Sequence, residues 1–324
     1  MIETRDRLLA LLRESKGDWV SGESLSARIG VSRSAIWKHI RLLRKRGYLI
    51  RSSPKKGYWF QGVSDLLLSD EIKDGLDTEI FGKRDIVYFS ETDSTNVRAK
   101  DLASKGAPEG TLVISEGQTD GKGRRGRDWF SPPRSGIYAT LILRPTIPPG
   151  EAPQITLLTA VAVAETLRSH TQLNAHIKWP NDILVGGRKI AGILTELSTE
   201  MDEVNYVLVG VGVNVNTPRF PEDIKEIATS ILVETGKPKK RVEVVQAYLK
   251  WCEKYYGIFR EKGFAPIRQR WEELTDIIGR EIVIETIGEK QTGIVQGIDQ
   301  RGYLIVKDSD GVLHSLFSGI VNYT

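Results

Sequence analysis

The chain has 324 residues, of which 40% are hydrophobic and 27% charged, so it is long enough for two or three globular domains with a substantial core. Its single cysteine, Cys252, excludes an intramolecular disulfide, and no apolar run is long enough to span a membrane, so we expect a cytoplasmic protein. The net charge of +4 is uneven: residues 1–62 carry fourteen Lys and Arg against five Asp and Glu, which predicts a nucleic-acid partner for this N-terminal head alone.

Three helices are predicted in the head, each with its own start and stop signals. The first spans Thr4–Ser15, where leucines recur at helical spacing. Ser21 caps a second helix that ends at Gly30, and Ser32 caps a third helix that runs to Arg46. Two short helices joined by such a Gly-Val-Ser turn are typical of a helix-turn-helix.

The third helix has an apolar stripe and an opposite face suited to DNA. Ile36, Ile40 and Leu43 recur at helical spacing and predict the buried side. Arginine and lysine suit guanine and phosphate groups, and a serine hydroxyl suits either a base or a phosphate. The candidate DNA-binding residues on this face are Arg33, Ser34, Trp37, Lys38 and Arg41. The indole of Trp37 either packs within the head or contacts DNA, and the sequence leaves both open.

A basic hairpin follows the third helix. Tyr48–Ser53 and Gly57–Phe60 are predicted strands around a turn that carries Lys55 and Lys56, two further candidate DNA contacts. A solvated helix with a cationic hairpin is the alternative interpretation. Helix order, caps and charge all favour a winged helix-turn-helix domain over residues 1–63.

The rest of the chain predicts an α+β body of more than one domain. Residues 64–84 are interpreted as a linker with a short helix, 85–274 as a central domain and 275–324 as a small C-terminal domain. Gly186-Gly187 predicts a hairpin, so we expect a mixed, mostly antiparallel sheet with helices. The predicted central strands and helices are Asp85–Phe89, Thr95–Lys105, Thr111–Glu116, Tyr138–Arg144, Ile155–His170, Ala175–Ile177, Asp182–Val185, Ile190–Glu196 and Asn205–Val213.

Two amphipathic helices and a group of short strands are predicted beyond the central sheet. The helices are Val242–Phe259 and Ala265–Thr275. Short β-like runs separated by glycine-containing turns predict a small C-terminal β-barrel, with strands at Glu281–Glu285, Gln291–Ile298, Tyr303–Lys307 and Val312–Phe317. Thr217–Ala228, with two prolines and mixed charges, predicts an irregular loop.

The most distinctive stretch is the loop from Gly121 to Arg127, where three glycines and four cations fill seven positions. Glycine lets backbone N–H groups approach a ligand closely, and arginine and lysine donate to carboxylate and phosphate oxygens. The loop therefore suits a polyanion, although it lacks the ending of a P-loop and the spacing of a dinucleotide fingerprint. A solvated basic loop or a nucleic-acid patch explains the same residues.

Four polar motifs interrupt the apolar runs of the body. Ser94-Thr95-Asn96 at a helix start either caps the helix or binds a neutral polar ligand. In Lys178-Trp179-Pro180-Asn181-Asp182, a turn explains the last three residues but not the lysine and tryptophan. Arg188-Lys189 brings a lysine to a strand edge, where lysines are commonly solvated or block aggregation. Gly210–Asn216 ends a buried strand with glycine and asparagine, which permits close approach of a ligand.

Together these motifs, with Trp129 after the glycine-basic loop, resemble those of biotin protein ligases, in which they occur in the same order. With the winged head, essentially the whole chain resembles the bifunctional biotin ligases and biotin operon repressors of bacteria. The resemblance implies a class II synthetase-like central fold and an SH3-like C-terminal domain. It also implies a two-step reaction. Biotin and ATP form biotinoyl-5′-AMP and pyrophosphate, and a carrier-domain lysine then takes the biotinyl group and releases AMP.

The resemblance also assigns roles to individual positions. The biotin-binding positions are Ser94, Thr95, Asn96, Gln118, Lys122, Gly123, Arg124 and Lys189. The ATP or adenylate positions are Arg125, Trp129, Lys178, Asn181, Asp182 and Asn214, with a core indole as the alternative for the tryptophan. Because the biotin carboxylate and the α-phosphate are both anions, the candidate catalytic residues are the cations Arg124, Lys189 and Lys178. Lys122 stands where the family often has arginine, which weakens a side-chain contact that needs a planar fork but leaves a backbone contact unchanged.

The small molecules implied are ATP, Mg²⁺ and biotin, with Asp182 as the candidate Mg²⁺ ligand or simply a turn residue. The implied partners are a biotin carboxyl carrier protein or domain, operator DNA, and a second copy of the chain when the corepressor adenylate is bound. That adenylate is expected to order Thr217–Ala228, and no membrane partner is expected. Two alternatives remain: a DNA-binding biotin sensor without ligase activity, and a lipoate-type ligase.

Overall fold

The computed structural model describes residues 4–15, 17–200, 203–285 and 290–323. The chain divides into two compact units, Met1–Leu66 and Leu67–Thr324. Among the helices of these described residues, none has the length and apolar character needed to cross a membrane.

In the first unit the predicted helices and wing are confirmed, with one short strand added. Ser21 and Ser32 cap their helices as predicted, because their side chains accept hydrogen bonds from backbone N–H groups one turn later. Gly30 ends the second helix with a left-handed φ of 81°. The described strands form one antiparallel sheet in the order β1-β3-β2. The elements are α1 (Thr4–Glu14), β1 (Trp19–Val20), α2 (Gly22–Ile29), α3 (Arg33–Lys45), β2 (Tyr48–Ser53) and β3 (Gly57–Val63).

The first unit has an apolar core of its own. Leucine and isoleucine side chains from all three helices meet there and are wholly removed from solvent, including the predicted stripe of α3. These side chains are Leu8, Leu12, Leu25, Ile36, Ile40 and Leu43.

A mixed sheet forms the centre of the second unit, so the α+β prediction is confirmed. In the described part of this unit, its seven strands lie in the order β4-β5-β6-β10-β9-β8-β7. All neighbours are antiparallel except β4 and β5. The strands are β4 (Ile86–Phe89), β5 (Leu112–Ser115), β6 (Gly136–Leu143), β7 (His176–Lys178), β8 (Asp182–Val185), β9 (Arg188–Glu200) and β10 (Glu203–Asn214).

Helices cover both faces of this sheet. Alternate residues of one strand join two different clusters: Leu141 packs in the main core with α6, whereas Ile142 packs beneath α5 with Ala99 and Ala103. Helix α6 lies between the sheet and two further helices, which explains why nearly all of its side chains are buried. The helices are α4 (Ser69–Lys73), α5 (Thr95–Ser104), α6 (Ala152–Thr171), α7 (Ile231–Thr235), α8 (Arg241–Lys262) and α9 (Ala265–Leu274).

The stretch interpreted as a linker with a short helix, residues 64–84, contains that helix, and most of the stretch packs into the second unit. Only its first residues belong to the first unit, because the division falls between Leu66 and Leu67. From there the chain contains α4 and packs into the main core, where Leu67, Ile72 and Phe81 are buried. The leucines and the phenylalanine of this stretch do not recur at helical or strand spacing. Their burial could not be predicted, because only the tertiary fold gives them apolar neighbours.

The C-terminal region is β-rich, as predicted, and it packs against the central sheet. The buried indole of Trp179 donates a hydrogen bond of 3.2 Å to the carbonyl of Gly302. In the described residues the strand order is β14-β13-β12-β11-β15, so the final strand was missed by the sequence prediction. Ser318 and Gly319, directly before this strand, interrupt the alternation of apolar residues, so the sequence shows no clear strand period there. The strands are β11 (Glu281–Glu285), β12 (Lys290–Ile298), β13 (Leu304–Lys307), β14 (Leu313–Leu316) and β15 (Ile320–Tyr323).

Candidate active site and nucleic-acid interface

One cleft of the second unit gathers most of the residues that the sequence singled out. It lies over β6, β9 and β10, beside the start of α5 and the glycine-basic loop. All eight predicted biotin-binding positions line it, together with two of the predicted adenylate positions. These residues are Ser94, Thr95, Asn96, Gln118, Lys122, Gly123, Arg124, Lys189, Trp129 and Asn181.

A larger cavity, of about 1170 Å³, lies elsewhere in the second unit, between the α8–α9 turn and the turn at Asp299–Arg301. None of the candidate catalytic or ligand-binding residues named above lines it. We therefore assign the site to the smaller cleft, because the chemistry rather than the volume identifies it.

The floor of the cleft is a pair of glycines. Gly192 of β9 and Gly212 of β10 lie directly opposite each other in the sheet, and the indole of Trp129 lies over both. A Cβ atom at Gly212 would lie 2.4 Å from the Cε2 atom of Trp129, and one at Gly192 would lie 2.9 Å from its Cζ3 atom. The two glycines therefore make room for a side chain, which in turn forms a wall of the cleft.

Trp129 is thus a half-buried cleft residue and not a core indole. The Nζ atom of Lys189 lies 5.2 Å from the ring centroid, within the range of a cation–π contact. The indole N–H of Trp129 is buried and has no hydrogen-bond partner among the described residues. A buried donor without an acceptor is costly, so a ligand that brings an acceptor would lower the free energy here.

A chain of hydrogen bonds connects the polar residues of the cleft wall. The side-chain oxygen of Asn96 accepts from the Thr140 hydroxyl at 2.6 Å, and its amide nitrogen donates to Glu196 at 2.6 Å. The Thr140 hydroxyl also lies 2.9 Å from the Thr95 hydroxyl. Gly210 leaves the space for this arrangement, because a Cβ atom there would lie 2.3 Å from the Asn96 oxygen.

Gln118 continues this chain to the far side of the cleft. Its side-chain oxygen accepts from the backbone N–H of Thr95 at 2.8 Å, and its amide nitrogen donates to the hydroxyl of Ser131 at 3.0 Å. The Ser131 hydroxyl then donates to the carbonyl of Trp129. Ser94 is the N-cap residue of α5, yet its side chain makes no capping hydrogen bond. The capping alternative therefore does not account for the Ser94 hydroxyl.

The glycine-basic loop folds back on itself and joins the sheet through Arg124. The backbone N–H of Gly123 donates to the carbonyl of Arg127 at 2.7 Å, which closes the loop around a single 3₁₀ turn. The guanidinium of Arg124 donates to the side-chain oxygen of Asn181 at 3.0 Å, and the Asn181 amide donates to the carbonyl of Ile193 at 2.9 Å. Asn181 thus holds Arg124 against the sheet.

Lys189 of β9 and Lys178 of β7 lie on the two strands that flank β8, which begins at Asp182. The Nζ atom of Lys189 lies 2.6 Å from a carboxylate oxygen of Asp182. Lys178 is the cross-strand neighbour of Asp182 in the β7–β8 pair. Asp182 is therefore engaged by a cation, and it lies at the edge of the cleft without lining it.

Cations line the cleft without a matching carboxylate: Lys122, Arg124 and Lys189 are among its described lining residues, none of which is an Asp or Glu. Burial lowers the pKa of Arg124, the neighbouring Arg125 lowers it further, and Asp182 only partly opposes them. Burial likewise lowers the pKa of Lys178, again with Asp182 opposing and Lys189 contributing. An anion bound between these cations would reverse both shifts.

Four predicted residues do not line the cleft: Lys178 and Asp182 lie at its edge, and Arg125 and Asn214 lie away from it. Arg125 is exposed, has a left-handed φ of 57°, and its guanidinium lies 3.4 Å from the hydroxyl of Ser318 in the C-terminal region. Asn214 is buried and donates to the carbonyl of Thr229 at 3.0 Å. Neither side chain lines the cleft in this structure, so their predicted ligand contacts stay predictions.

Three cleft-region residues were missed by the sequence reasoning. Tyr138 lines the cleft, its hydroxyl donates to the carbonyl of Pro132 at 2.9 Å, and burial raises its pKa to about 12, so the phenol is neutral. Thr140 and Ser131 complete the hydrogen-bond chain described above. A threonine in the middle of the apolar run of β6 is a signal that could have been noticed.

The segment Thr217–Ala228 is irregular, as predicted, and it is tied to Lys189. The backbone N–H of Lys189 donates to the carbonyl of Ile227 at 2.7 Å, and the backbone N–H of Thr229 donates back to the carbonyl of Lys189. At its base, the Ser230 hydroxyl donates to the carbonyl of Thr217 at 2.7 Å. The segment therefore forms a closed loop beside the site.

The cleft offers little for a preformed metal site. Among the described residues no group of three or more His, Cys, Asp or Glu side chains is arranged to hold a metal ion. Asp182 is a single carboxylate already paired with Lys189. Magnesium commonly takes one or two protein carboxylates and completes its shell with water and substrate phosphates, so Asp182 fits that pattern only in part.

The first unit presents the predicted DNA-binding face to solvent. All of the candidate DNA contacts are exposed, and the two wing lysines lie in the turn between β2 and β3; they are Arg33, Ser34, Trp37, Lys38, Arg41, Lys55 and Lys56. The Trp37 side chain is 49% exposed, and the guanidinium of Arg41 lies 4.7 Å from its ring centroid. Trp37 therefore lies outside the core of the head, and its contact with DNA stays a prediction.

Three family descriptions match successive parts of the chain. Residues 4–59 match the HTH domain, residues 88–214 match the biotin/lipoate A/B protein ligase family, and residues 277–322 match the biotin protein ligase C-terminal domain.

Relatives of known name match almost the whole chain. The bifunctional ligase/repressor BirA of Bacillus subtilis is 40% identical over 310 residues, which are 95% of each chain. The protein of the same name from Escherichia coli is 32% identical and covers 98% of this chain and 96% of its own. A solved structure of the biotin protein ligase from Aquifex aeolicus in complex with biotin and ATP has a TM-score of 0.65 and 30% identity. It covers 74% of this chain and 100% of that one.

Proposed function

Because the chain belongs to the biotin protein ligase family, and to its bifunctional ligase/repressor members, we propose that it activates biotin with ATP and transfers it to a lysine of a carrier domain. The observation that carries this function is the cleft itself. The positions matched to biotin in the family surround a single cleft whose described lining residues include three cations and no carboxylate.

The first step joins two anions. The biotin carboxylate attacks the α-phosphorus of ATP, and pyrophosphate leaves with the electron pair of the broken P–O bond. Arg124, held by Asn181, and Lys189, held over Trp129, would lie on either side of the reacting oxygens and reduce their repulsion. Because these side chains are fixed before the ligand arrives, little reorganisation is needed in the transition state.

The neutral end of biotin requires donors and acceptors without net charge. Thr95, Asn96 and Gln118 supply hydroxyl and amide groups at the other end of the hydrogen-bond chain, next to the neutral phenol of Tyr138. These groups suit a ureido ring, which both donates and accepts hydrogen bonds. The cleft is thus polar and uncharged at one end and cationic at the other, as biotin is neutral at its ring and anionic at its carboxylate.

The second step requires an acyl-adenylate that survives until the carrier arrives. The carrier amine attacks the acyl carbon, AMP leaves, and an amide forms. The closed loop of Thr217–Ala228, tied to the backbone of Lys189, is the segment we expect to cover the adenylate. Excluding water there prevents hydrolysis of the mixed anhydride.

Magnesium would enter with the nucleotide. When bound, Mg²⁺ would neutralise phosphate charge, and Asp182 is the one residue we propose as a protein ligand for it.

The head makes the protein a repressor in this proposal. Its exposed cations would contact phosphates, and α3 would enter the major groove of operator DNA. We propose that the adenylate acts as corepressor by favouring a dimer, since helix-turn-helix proteins commonly bind paired half-sites. Salt tests the phosphate contacts, because affinity that depends on them falls steeply as salt rises. DNA affinity that responds neither to salt nor to biotin with ATP would refute the regulatory half.

One measurement separates this function from its rivals. Pyrophosphate release with biotin and ATP-Mg should occur with the intact chain, and a biotin carrier domain should then become labelled. A DNA-binding sensor without ligase activity would release no pyrophosphate. Lipoate in place of biotin, or as a competitor, distinguishes a lipoate-type ligase. Labelling that fails with folded protein and all substrates present would end the ligase proposal.

A further inference from the structure

A fully buried ion pair lies just outside the cleft. The side chains of Glu116 and Arg241 are 2% and 0% exposed, and a guanidinium nitrogen lies 2.7 Å from a carboxylate oxygen. Buried charges are expensive, and replacing such pairs by apolar residues is often neutral or stabilising. Stability alone is therefore a weak reason for these residues to be ions.

The two oxygens of Glu116 serve different partners. One accepts from Arg241, whose guanidinium also donates to the carbonyl of Gly136 at 3.0 Å. The other accepts from the backbone N–H of Leu67 at 2.7 Å. A carboxylate can satisfy both donors at once because it has two accepting oxygens.

These partners belong to functionally different parts of the chain. Glu116 is two residues before Gln118, whose side chain lines the cleft, and Gly136 is two residues before Tyr138, which also lines it. Leu67 is the first residue of the second unit, directly after the chain leaves the DNA-binding unit at Leu66. A single carboxylate thus contacts both the frame of the cleft and the tether of the head.

We propose that Glu116 is a positioning residue that couples occupancy of the cleft to the tether at Leu67. This inference rests on the proposed function, because it concerns how the biotin-adenylate cleft regulates the DNA-binding head. Ligand that holds the segment around Gln118 in place also holds Glu116, and Glu116 then holds the Leu67 amide. Since coupling free energies are reciprocal, the tether responds to the ligand by the same factor by which the ligand responds to the tether.

Hydrogen exchange of the Leu67 amide measures this coupling directly. With biotin and ATP-Mg bound, protection of Leu67 in the intact chain should rise by about 5- to 150-fold, the usual range of coupling between sites. Glu116→Gln should abolish that rise. The substitution replaces one of the two oxygens by an NH2 group. The buried guanidinium of Arg241 keeps the remaining oxygen, so the N–H of Leu67 faces another donor and loses its acceptor.

Two double variants keep the test independent of how well Glu116→Gln folds. Both remove the buried charges, and only one keeps an acceptor at position 116. In Glu116→Gln/Arg241→Met the amide oxygen is free for Leu67, so the ligand-dependent protection should return. In Glu116→Leu/Arg241→Met it should stay absent. Equal protection in the two double variants would overturn the proposal.

Glu165→Gln is a matched control. Glu165 is another poorly exposed carboxylate that accepts from an arginine and a second donor, Arg270 and the hydroxyl of Tyr255, and none of these residues lines the cleft. It should leave the Leu67 response unchanged.

Pyrophosphate release is assayed on the same samples. If the intact chain forms adenylate but ligand does not change the protection of the Leu67 amide, the coupling is wrong and the ligase function stands. If no adenylate forms, the ligase function fails.

Discussion

Substituting Gly212 by alanine tests whether Trp129 forms the wall of the cleft. The new Cβ atom would lie 2.4 Å from the Cε2 atom of Trp129 and 2.5 Å from its Nε1 atom, where ordinary contact begins at 3.4 Å. The indole would have to move by about 1 Å, the difference between the two distances. Because Trp129 is only half-buried, it can swing towards solvent more easily than the paired strands can separate.

The cost of this displacement can be bounded. Overpacking of this kind costs about 1–3 kcal/mol, and the cation–π contact with Lys189 adds about 0.5–1 kcal/mol when it is lost. If this cost of about 1.5–4 kcal/mol falls on the bound state, adenylate formation drops by about 10- to 700-fold, since 1.4 kcal/mol is a factor of ten. The melting temperature should change little, because the indole relieves the clash by leaving the cleft.

The assay is pyrophosphate release at saturating biotin, with the KM for ATP measured separately. Gly257→Ala is the control, because Gly257 lies in the middle of α8 and a Cβ atom there meets nothing within 4 Å. It should retain full activity and be slightly more stable, by about 0.5–1 kcal/mol, as expected for alanine in a helix. The reasoning is refuted if Gly212→Ala is as active as Gly257→Ala.

Three further substitutions test other contacts. Asn181→Ala removes the acceptor that holds Arg124, so adenylate formation should fall by about 10- to 100-fold in pyrophosphate assays, and the melting temperature should also fall because the Ile193 carbonyl loses its donor; unchanged rates would contradict this. Lys178→Met should raise the free energy of unfolding at pH 7, measured in urea, because burial lowers the pKa of Lys178 and disfavours its charged form. For the same reason, the wild-type free energy of unfolding should increase as the pH rises from the lowered pKa of Lys178 to the usual lysine value. Lys178→Met should lack this increase, and identical pH profiles would refute the assignment. Trp179→Phe leaves the carbonyl of Gly302 unsatisfied and should cost about 1–3 kcal/mol in thermal unfolding with little change in the KM for biotin, and an unaltered melting temperature would argue against this link to the C-terminal region.

Local signals predicted the head well because its elements are short and punctuated. Ser21, Gly30 and Ser32 act within one turn of their own helices, so the sequence alone is enough to locate the boundaries. The mixed, mostly antiparallel character of the central sheet was predicted for a similar reason, because its hairpin glycines and apolar runs are visible in the sequence. Its strand order was not predicted, since neighbours such as β6 and β10 lie far apart in sequence.

The candidate site was proposed from motifs more than from physical reasoning. The family resemblance brought Arg124, Gln118 and Lys189 to attention, and they line one cleft. What the sequence could not reveal was which neighbour each residue serves. From the sequence, Gly212 was expected to permit close approach of a ligand, whereas in the structure it makes room for the indole of Trp129. This contact depends on how β9, β10 and the loop pack together, which the sequence alone does not reveal.

The separate hydrophobic core of the head has an evolutionary consequence. Residues such as Ile36 and Leu43 stabilise α3, the helix that we propose faces DNA, and neither of them lines the ligand cleft. Substitutions that change which operator is read are therefore not constrained by the packing around the catalytic residues. Selection can adjust the set of regulated genes while the chemistry of biotin attachment stays fixed.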